Sequence, residues 1–332
     1  MFKRFLATAG ALVCAQALMA GVASTKDLPA DTKWVLRLDL QSAQASPLVT
    51  ELVGKIAPAK RQQAQAKIAA FKALFGIDLL KDIQEVVVAG NGSADKGGAA
   101  YIYGSLDAAR LTTILAGNAT FSSSDYNGLK LLSWTDDNDK KQKFGSFIRP
   151  GLTVMSDKKE AVTAALDVLS GKVAGLAAGS SLKGAFANGG AFLTVVAEDV
   201  PSIIGEQPKG QALRQAQSLC LNISAPQPDL LSASLAVKAS SDETAQQIRQ
   251  ALTGIQALAL LRAAEAPEQA TLAQLAKING EGSSVSIALD LPKSAIENAI
   301  RQREAREAAK RAAAAAAAAV PAATAAPAAA AQ

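Results

Sequence analysis

One arrangement occurs twice along the chain and limits the folds open to it: two short strands joined by a turn, then a helix that begins at serine and ends at glycine. The first copy spans residues 85–117 and the second spans residues 219–254. In the strands, apolar residues alternate with polar or small ones, whereas the helices repeat apolar residues every three or four positions. The two copies share this order with little identity, so they indicate a repeated architecture.

The remaining segments extend these copies into an α+β fold. Residues 34–40 predict a strand ahead of the first copy, and residues 191–197 predict an equivalent strand ahead of the second. We therefore predict two similar halves of mostly antiparallel sheet with helices packed on one face. In the long helix of the second half, the residues predicted to face inwards are Ile248, Leu252, Ile255 and Leu258. The predicted divisions are a first module at residues 24–170, a Gly/Ala-rich linker at 171–190 and a second module at 191–300.

The first 23 residues have the organisation of a signal peptide. Lys3 and Arg4 form a basic start, residues 5–22 carry no charge, and Gly21-Val22-Ala23 is a small-x-Ala cleavage site. Cleavage there predicts a periplasmic or secreted protein. The alternative is an uncleaved N-terminal anchor, because the 18 uncharged residues are just long enough to span a bilayer.

The other end of the chain, residues 301–332, is a basic segment followed by one rich in alanine and proline. Residues 301–311 continue the last helix, and the eight alanines at 312–319 extend it through their helix propensity. This helix has no face of large apolar residues, so we expect weak contact with anionic lipid or a wall polymer rather than insertion. The side chains predicted to make that contact are Arg301, Arg303, Arg306, Lys310 and Arg311.

The charge of the chain comes from its two ends. The formal net charge is +5, of which the signal peptide contributes two and residues 301–311 contribute three. Residues 24–300 are therefore neutral. This argues against a nucleic-acid partner, because such proteins need a basic surface to neutralise phosphates. We expect the partner to be an unidentified protein or another component of the cell envelope.

The absence of histidine excludes several kinds of chemistry. A chain without histidine has no Ser-His-Asp or Cys-His catalysis, no His-ligated metal and no imidazole proton shuttle. Of the two cysteines, Cys14 lies in the predicted signal peptide. The single remaining cysteine cannot form an internal disulfide or a thiolate cluster. We therefore predict no bound cofactor.

Two short patterns are candidate functional sites. The run Asp136-Asp137-Asn138-Asp139 supplies oxygen ligands of the kind that hard cations prefer, although neighbouring lysines oppose a cation and a hairpin tip also explains it. Ser180 and Lys183 have the Ser-x-x-Lys spacing of His-free serine hydrolases. The Lys-Thr-Gly and Ser-Asp-Asn partners of that chemistry are missing from the sequence.

The whole arrangement resembles a loose class of uncharacterised exported bacterial proteins built of repeated strand–strand–helix units, of the domain-of-unknown-function type. The residues that carry the resemblance are Trp34–Leu40, Gly76–Ile83 and the helix starts at Ser105 and Ser240. It covers most of the chain between the signal peptide and the tail. The resemblance implies an exported α+β protein and transfers no catalytic or binding residue.

Three functional hypotheses follow. The first is a non-enzymatic envelope protein that binds or scaffolds a partner, based on export, a neutral body and the lack of a catalytic constellation. The second is a His-free serine hydrolase that uses Ser180 and Lys183. The third is a lipid- or apolar-ligand-binding protein whose ligand lies between a sheet and its helices.

Overall fold

Strands form the body of the structure, a computed structural model that describes residues 23–55, 58–92, 97–137, 139–177, 180–187, 190–204 and 214–318. Within these ranges the strands are β1 (Trp34–Asp39), β2 (Ile83–Gly90), β3 (Ala99–Gly104), β4 (Ser122–Tyr126), β5 (Leu129–Thr135), β6 (Gln142–Arg149), β7 (Leu152–Ser156), β8 (Ala191–Glu198), β9 (Ala216–Gln227), β10 (Leu230–Ala239), β11 (Ala276–Glu281) and β12 (Ser284–Pro292). The helices are α1 (Leu40–Ala45), α2 (Pro47–Gly54), α3 (Pro58–Phe75), α4 (Ala108–Ala116), α5 (Lys159–Leu169), α6 (Gly184–Ala187), α7 (Val200–Ile204), α8 (Asp242–Leu261), α9 (Pro267–Leu275) and α10 (Lys293–Ala318). These elements confirm the predicted α+β class.

All of these strands belong to one antiparallel sheet, in the order β11-β12-β10-β9-β8-β1-β2-β3-β7-β6-β5-β4. Strands that follow one another along the chain mostly lie side by side, as short connections require. The two halves meet at β1, which pairs with β2 on one side and with β8 on the other. Val35, for example, lies opposite Ala89 and Val196. The halves therefore share one sheet.

One core lies beneath α5, on the side of the sheet that we call the α5 face. Successive side chains of a strand point to opposite sides of the sheet. Val35, Tyr101 and Val154 point to the α5 face. α5 packs its apolar stripe against them, with Val162 and Ala165 completely buried. The spacing of three residues places both side chains on the same side of the helix.

A second core lies in the second half, on the opposite side of the sheet, which we call the α8 face. Ala245 and Ile248 of α8 pack there against Val237 and Val285. Their register explains the contact, because Val237 and Val285 are directly opposite each other on β10 and β12. The capping oxygen of Ser241 accepts the Thr244 amide at 3.1 Å and starts the helix.

The inner side of α8 differs from the one that the sequence predicts. Ile248 and Leu252 face the sheet, but Ile255 is 60% exposed and Leu258 is 58% exposed. Six residues turn a helix by about 600°, so Leu258 lies roughly 120° around the helix from Leu252 and points away from the sheet. Gln256 takes the inward position instead, and its Nε2 donates to two carbonyl oxygens at the end of α9, at 2.6 and 2.9 Å.

Helices cover both sides of the sheet in the first half, whereas the sequence predicted one. Tyr101 and Ile102 are neighbours on β3 and so point in opposite directions. Tyr101 packs in the core beneath α5, and Ile102 lines a space closed by α3 and α4. A strand covered on both sides need not alternate between apolar and polar residues, so its pattern does not show where the helices lie.

Three charged side chains lie on the α5 face beside the end of β1. Arg37 donates to Glu85 and, at 3.1 Å, to Asp39, and the Arg37 and Glu85 side chains are only 12% and 8% exposed. The other carboxylate oxygen of Glu85 accepts the backbone amide of Ala23 at 3.3 Å. Buried charges are tolerated when they are paired and hydrogen-bonded in this way. The cluster ties residue 23, β1 and β2 together.

Four charged side chains fasten α10 to α2. Lys293 contacts Glu51 at 2.6 Å, and Lys55 pairs with both Glu51 and Glu297. The pKa of Glu51 is lowered mainly by its hydrogen bond with Lys293, and the pKa of Glu297 is lowered by its hydrogen bond with Lys55. The bond with Glu297 in turn raises the pKa of Lys55. Glu51, Glu297 and Lys55 therefore keep their charges over a wider range of pH.

Both ends of the chain fall largely outside the described residues. Of the predicted signal peptide only Ala23 is described, and residues 319–332 of the predicted tail are also outside. The part of the tail that is described, up to residue 318, is helical as predicted. None of the helices within the described ranges has both the length and the apolar character that crossing a membrane requires.

Removing one partner of the buried charge cluster is expected to destabilise the fold strongly. Glu85→Ala leaves Arg37 with less compensation in an apolar surrounding, so we expect the free energy of unfolding to fall by about 3 kcal/mol. The double variant Arg37→Met/Glu85→Leu is expected to lose less, because both charges leave together. Urea unfolding of the three chains measures the difference. A double variant less stable than Glu85→Ala would contradict the expectation.

The contact between α2 and α10 is expected to loosen in acid. A carboxyl group with a lowered folded pKa stabilises the fold above its ordinary pKa, 4.5 for glutamate, and that contribution disappears as the pH falls through the lowered value. We therefore expect hydrogen exchange in α2 and at the start of α10, corrected for the intrinsic rate, to accelerate below about pH 4.5.

Two glutamate variants test this contact. Glu297→Gln removes one of the two carboxylates and is expected to speed the same exchange already at neutral pH. The control is Glu307→Gln, because Glu307 pairs with Arg303 on α10 itself. Equal exchange in the two variants would show that the ion pairs do not hold α10 in place.

Candidate functional site

A cavity of about 550 Å³ lies in the first half, between the α8 face of the sheet and the helices α3 and α4. Ligand pockets in proteins usually measure roughly 300–1,000 Å³. The main contributors from the sheet are Ile102, Leu132, Trp134, Phe147, Thr153 and Met155. The main contributors from the helices are Phe71, Phe75, Leu111, Ile114 and Leu115.

Gly145 keeps the floor of the cavity open. Leu132, Gly145 and Met155 lie opposite one another across β5, β6 and β7. A Cβ atom built on Gly145 would lie 3.5 Å from the Trp134 ring and from the Met155 side chain, and 3.2 Å from the Val154 carbonyl oxygen. A larger side chain at this position would fill the space beside Trp134.

One wall of the cavity is α4. Asp107 starts this helix, because its Oδ1 accepts the Arg110 amide at 3.0 Å and satisfies a donor of the first turn. The helix then brings Leu111, Ile114 and Leu115 to the cavity at the i, i+3, i+4 spacing of one helix side. The wall thus follows from a local cap and a short apolar stripe.

The other wall is the end of α3. The rings of Phe71 and Phe75 are four residues apart in sequence, with centroids 4.5 Å apart and planes tilted by 39°. The helix ends at Phe75, just before Gly76, and this glycine has a φ of +69°. From residue 61 to residue 75 no side chain of α3 is fully buried. These two rings are therefore its main contribution to the cavity.

One end of the cavity is polar. Asn118 Nδ2 donates to the Thr135 carbonyl oxygen at 3.0 Å, and Asn118 Oδ1 accepts the Thr120 amide at 2.9 Å. Asp136 and Asp137 follow on the turn after β5 and also line the opening. An apolar interior with a few polar groups at one end is the usual surface of a small-molecule binding site.

Lysine side chains contact the acidic turn at residues 136–139, which the sequence indicates as a weak candidate site for a cation. Asp139 accepts from Lys143 Nζ at 2.8 Å, and this hydrogen bond lowers the pKa of Asp139 and raises that of Lys143. Asp137 lies 3.7 Å from a neighbouring lysine, Asp136 accepts the Asp139 amide at 3.4 Å, and Asn138 lies outside the described residues. Within the part of the chain that the structure describes, no group of three or more His, Cys, Asp or Glu could hold a metal ion.

Ser180 caps a single 3-10 turn, Ser181–Lys183. Its Oγ accepts the Leu182 amide at 3.2 Å and donates to Glu198 Oε1 at 3.4 Å. The Ser181 amide donates to the same carboxylate oxygen at 3.1 Å, and the Lys183 side chain is exposed. These contacts are those of a helix start at the end of β8. They do not favour the predicted Ser-x-x-Lys pair, which stays untested.

Acidic residues of the chain engage part of the basic stretch on α10. Arg303 and Arg311 contact Glu307 at 3.1 and 3.8 Å, and Arg306 pairs with Glu268 of α9. These pairs reduce the positive charge that the helix can offer to another surface. Contact with anionic lipid or a wall polymer remains a prediction. The other two residues predicted to make that contact, both exposed, are Arg301 and Lys310.

The sequence reasoning missed the residues of the cavity. The available signals were the apolar stripe of α4, the two phenylalanines near the end of α3 and the apolar strand residues that face them. Such residues indicate burial, but they do not distinguish a closed core from one that leaves a space. That distinction depends on how closely the helices approach the sheet.

No family model matches the chain, and no curated protein matches it. Solved structures with a partly similar course of the chain are crystal forms of TP0453. Form III has a TM-score of 0.49 at 12% identity and covers 85% of this chain and 98% of that one. Form I has a TM-score of 0.47 at 10% identity, with 85% and 97% covered, and form IV has 0.43 at 11% identity, with 82% and 96% covered. Similarity at this level supports no conclusion about the function of this chain. The comparisons also show no family that corresponds to the resemblance found in the sequence.

Ser180→Ala is expected to remove a cap rather than an activity. We expect the free energy of unfolding to fall by about 1 kcal/mol, the usual cost of a lost side-chain cap. A fluorophosphonate probe is expected to label neither the parent chain nor the variant, because the Ser180 hydroxyl donates to Glu198 and the side chain of Lys183, the base that the hydrolase hypothesis requires, is exposed. Labelling of the parent chain that Ser180→Ala abolishes would instead establish the hydrolase.

Proposed function

We propose that the protein is an exported, non-enzymatic binding protein that carries a small apolar molecule in the cavity between the sheet and the helices α3 and α4. The observation that carries the proposal is the cavity itself, with about 550 Å³ of space and a largely apolar lining. Export rests on the predicted signal peptide. This proposal favours the third of the hypotheses drawn from the sequence.

The energetics suit a reversible carrier. A ligand with twelve methylene groups gains roughly 10 kcal/mol on burial at about 0.8 kcal/mol per group. Association costs at least about 4 kcal/mol. The remainder of at most about 6 kcal/mol corresponds to a dissociation constant of tens of micromolar or weaker. Such a ligand would bind in an apolar-rich surrounding and still be released.

The first hypothesis, a scaffold for a protein or envelope partner, differs in one measurable way. A scaffold needs an exposed surface and is indifferent to the inside of the cavity. A carrier depends on the volume and polarity of that inside. Variants that change only the cavity interior therefore separate the two.

The neutral dye N-phenyl-1-naphthylamine, which fluoresces in apolar surroundings, is the probe for this test. We expect saturable binding to the parent chain with a dissociation constant in the micromolar range. Ile114→Trp fills the cavity and is expected to weaken binding by roughly tenfold, because it replaces the space with a side chain. Thr113→Trp is the matched control, since Thr113 is the exposed neighbour on the same helix.

Thermal melting of both variants establishes that each is folded. Ile114→Ala, which enlarges the cavity, is expected to keep dye binding. If Ile114→Trp and Thr113→Trp bind the dye equally well, the cavity is not the binding site and the proposal fails.

A further inference from the structure

A second, polar cavity lies on the α5 face, on the other side of the sheet from the apolar one. It measures about 290 Å³ and is bounded by the turn before β1, the adjoining ends of β2 and β3, and the first turns of α5. Four alanines leave the space open, because they put only a methyl group where larger residues would fill it. They are Ala89, Ala99, Ala161 and Ala164.

Tyr101 is one of the residues that line this cavity, and its buried hydroxyl group has no partner among the described residues. The residue is 0% exposed, and its hydroxyl makes no hydrogen bond with any residue that the structure describes. Tyr103, two residues along the same strand and on the same side, is a direct contrast. Its hydroxyl donates to Asp27 Oδ2 at 3.0 Å. Buried hydroxyl groups normally have a partner, so the Tyr101 hydroxyl marks a place for one.

The surroundings of the Tyr101 hydroxyl are negative. Burial, and after it the charges of Asp27 and Asp31, raise the pKa of this hydroxyl, so it is neutral at physiological pH. Asp31 lines the cavity and accepts from Asn91 Nδ2 at 2.6 Å with one carboxylate oxygen. A ligand group placed between Asp31 and the Tyr101 oxygen would gain by being a donor with a positive charge.

The opposite end of the cavity has mixed charge. α5 begins at Lys158 without a side-chain cap, which leaves the donors of its first turn for another acceptor. Lys158 lines the cavity together with Glu160, both exposed. Among the described residues of the lining, the charged groups are thus two carboxylates, Asp31 and Glu160, and one ammonium group, that of Lys158. The lining as a whole prefers a cation.

We propose that this cavity binds a small molecule bearing a primary ammonium group, which donates to the Tyr101 oxygen and to the Asp31 carboxylate. A simple alkylamine and an α-amino acid share this chemistry. They differ in whether a carboxylate also reaches Lys158 and the start of α5. The site is independent of the apolar cavity, so either proposal can fail without the other.

Calorimetric titration of the full chain with ethylammonium, alanine and propionate tests the assignment. We expect ethylammonium, alanine or both to bind and propionate not to bind. Tighter binding of alanine, lost in Lys158→Met, would identify an amino acid, and equal binding of the two would identify a simple amine. Binding of propionate would overturn the proposal. Binding of none of the three compounds would overturn it as well, because the cavity would then hold solvent only.

Two matched tyrosine variants locate the site. Tyr101→Phe removes the unpartnered hydroxyl and is expected to weaken ammonium binding roughly fivefold or more, the effect of one lost hydrogen bond. Tyr103→Phe removes the hydroxyl that is already paired with Asp27 and is expected to leave binding unchanged while lowering the melting temperature. Asp31→Asn, at the exposed rim, is expected to weaken binding even if Tyr101→Phe folds poorly. Unchanged binding in Asp31→Asn, or in a folded Tyr101→Phe, would refute the assignment.

Discussion

The double pairing of β1 is the contact on which the rest of the structure depends. One side of this six-residue strand pairs with β2 and the other pairs with β8, from the second half of the chain. Its alternate side chains enter different cores, with Val35 beneath α5 and Trp34 packed on the core beneath α8. A short ladder of backbone hydrogen bonds thus joins both halves, and the buried cluster of Arg37 and Glu85 lies at its end.

The two cavities follow from the same sheet. Adjacent residues of β3 line different cavities. Ile102 lines the apolar cavity and Tyr101 lines the polar one. Each gains its space from small residues, a glycine at 145 in one and four alanines in the other. A first half covered by helices on both sides therefore offers two chemically different surfaces, whereas a sheet covered on one side would offer one.

Alternation and helical spacing predicted the principal strands and helices correctly, because those signals are local. Helix starts were less accurate. Ser105 was the expected cap of α4, but its amide donates to the Asp82 carbonyl oxygen at 2.7 Å, and Asp107 caps the helix instead. A shift by one residue likewise makes Ser241, rather than Ser240, the cap of α8. A side chain can cap a helix only where the backbone has already turned into the helix. Contacts with residues distant in the sequence determine where that turn lies.

The candidate sites could not be predicted in the same way. In the sequence, Tyr101 has the pattern of an ordinary strand residue. Its unpartnered hydroxyl and the cavity beside the turn before β1 are visible only in the folded structure. The charged patterns that do stand out in the sequence, such as Asp136–Asp139 and the basic stretch of α10, are partly neutralised by neighbouring side chains. The pair Arg303–Glu307 lies within one helix at a spacing that the sequence shows, but the pair Arg306–Glu268 joins two helices and cannot be inferred from sequence spacing.

An open sheet has two outer strands, and their composition affects how the protein tolerates crowding. β4 has the sequence Ser-Ser-Ser-Asp-Tyr, and β11 has Ala-Lys-Ile-Asn-Gly-Glu. Unpaired backbone groups along such margins can recruit strands from other molecules, and polar or charged side chains discourage that growth. The serines of β4 supply no apolar side chain for a second molecule to cover. The edge of the sheet at β4 is therefore protected against pairing with strands of other molecules and against growth into fibres.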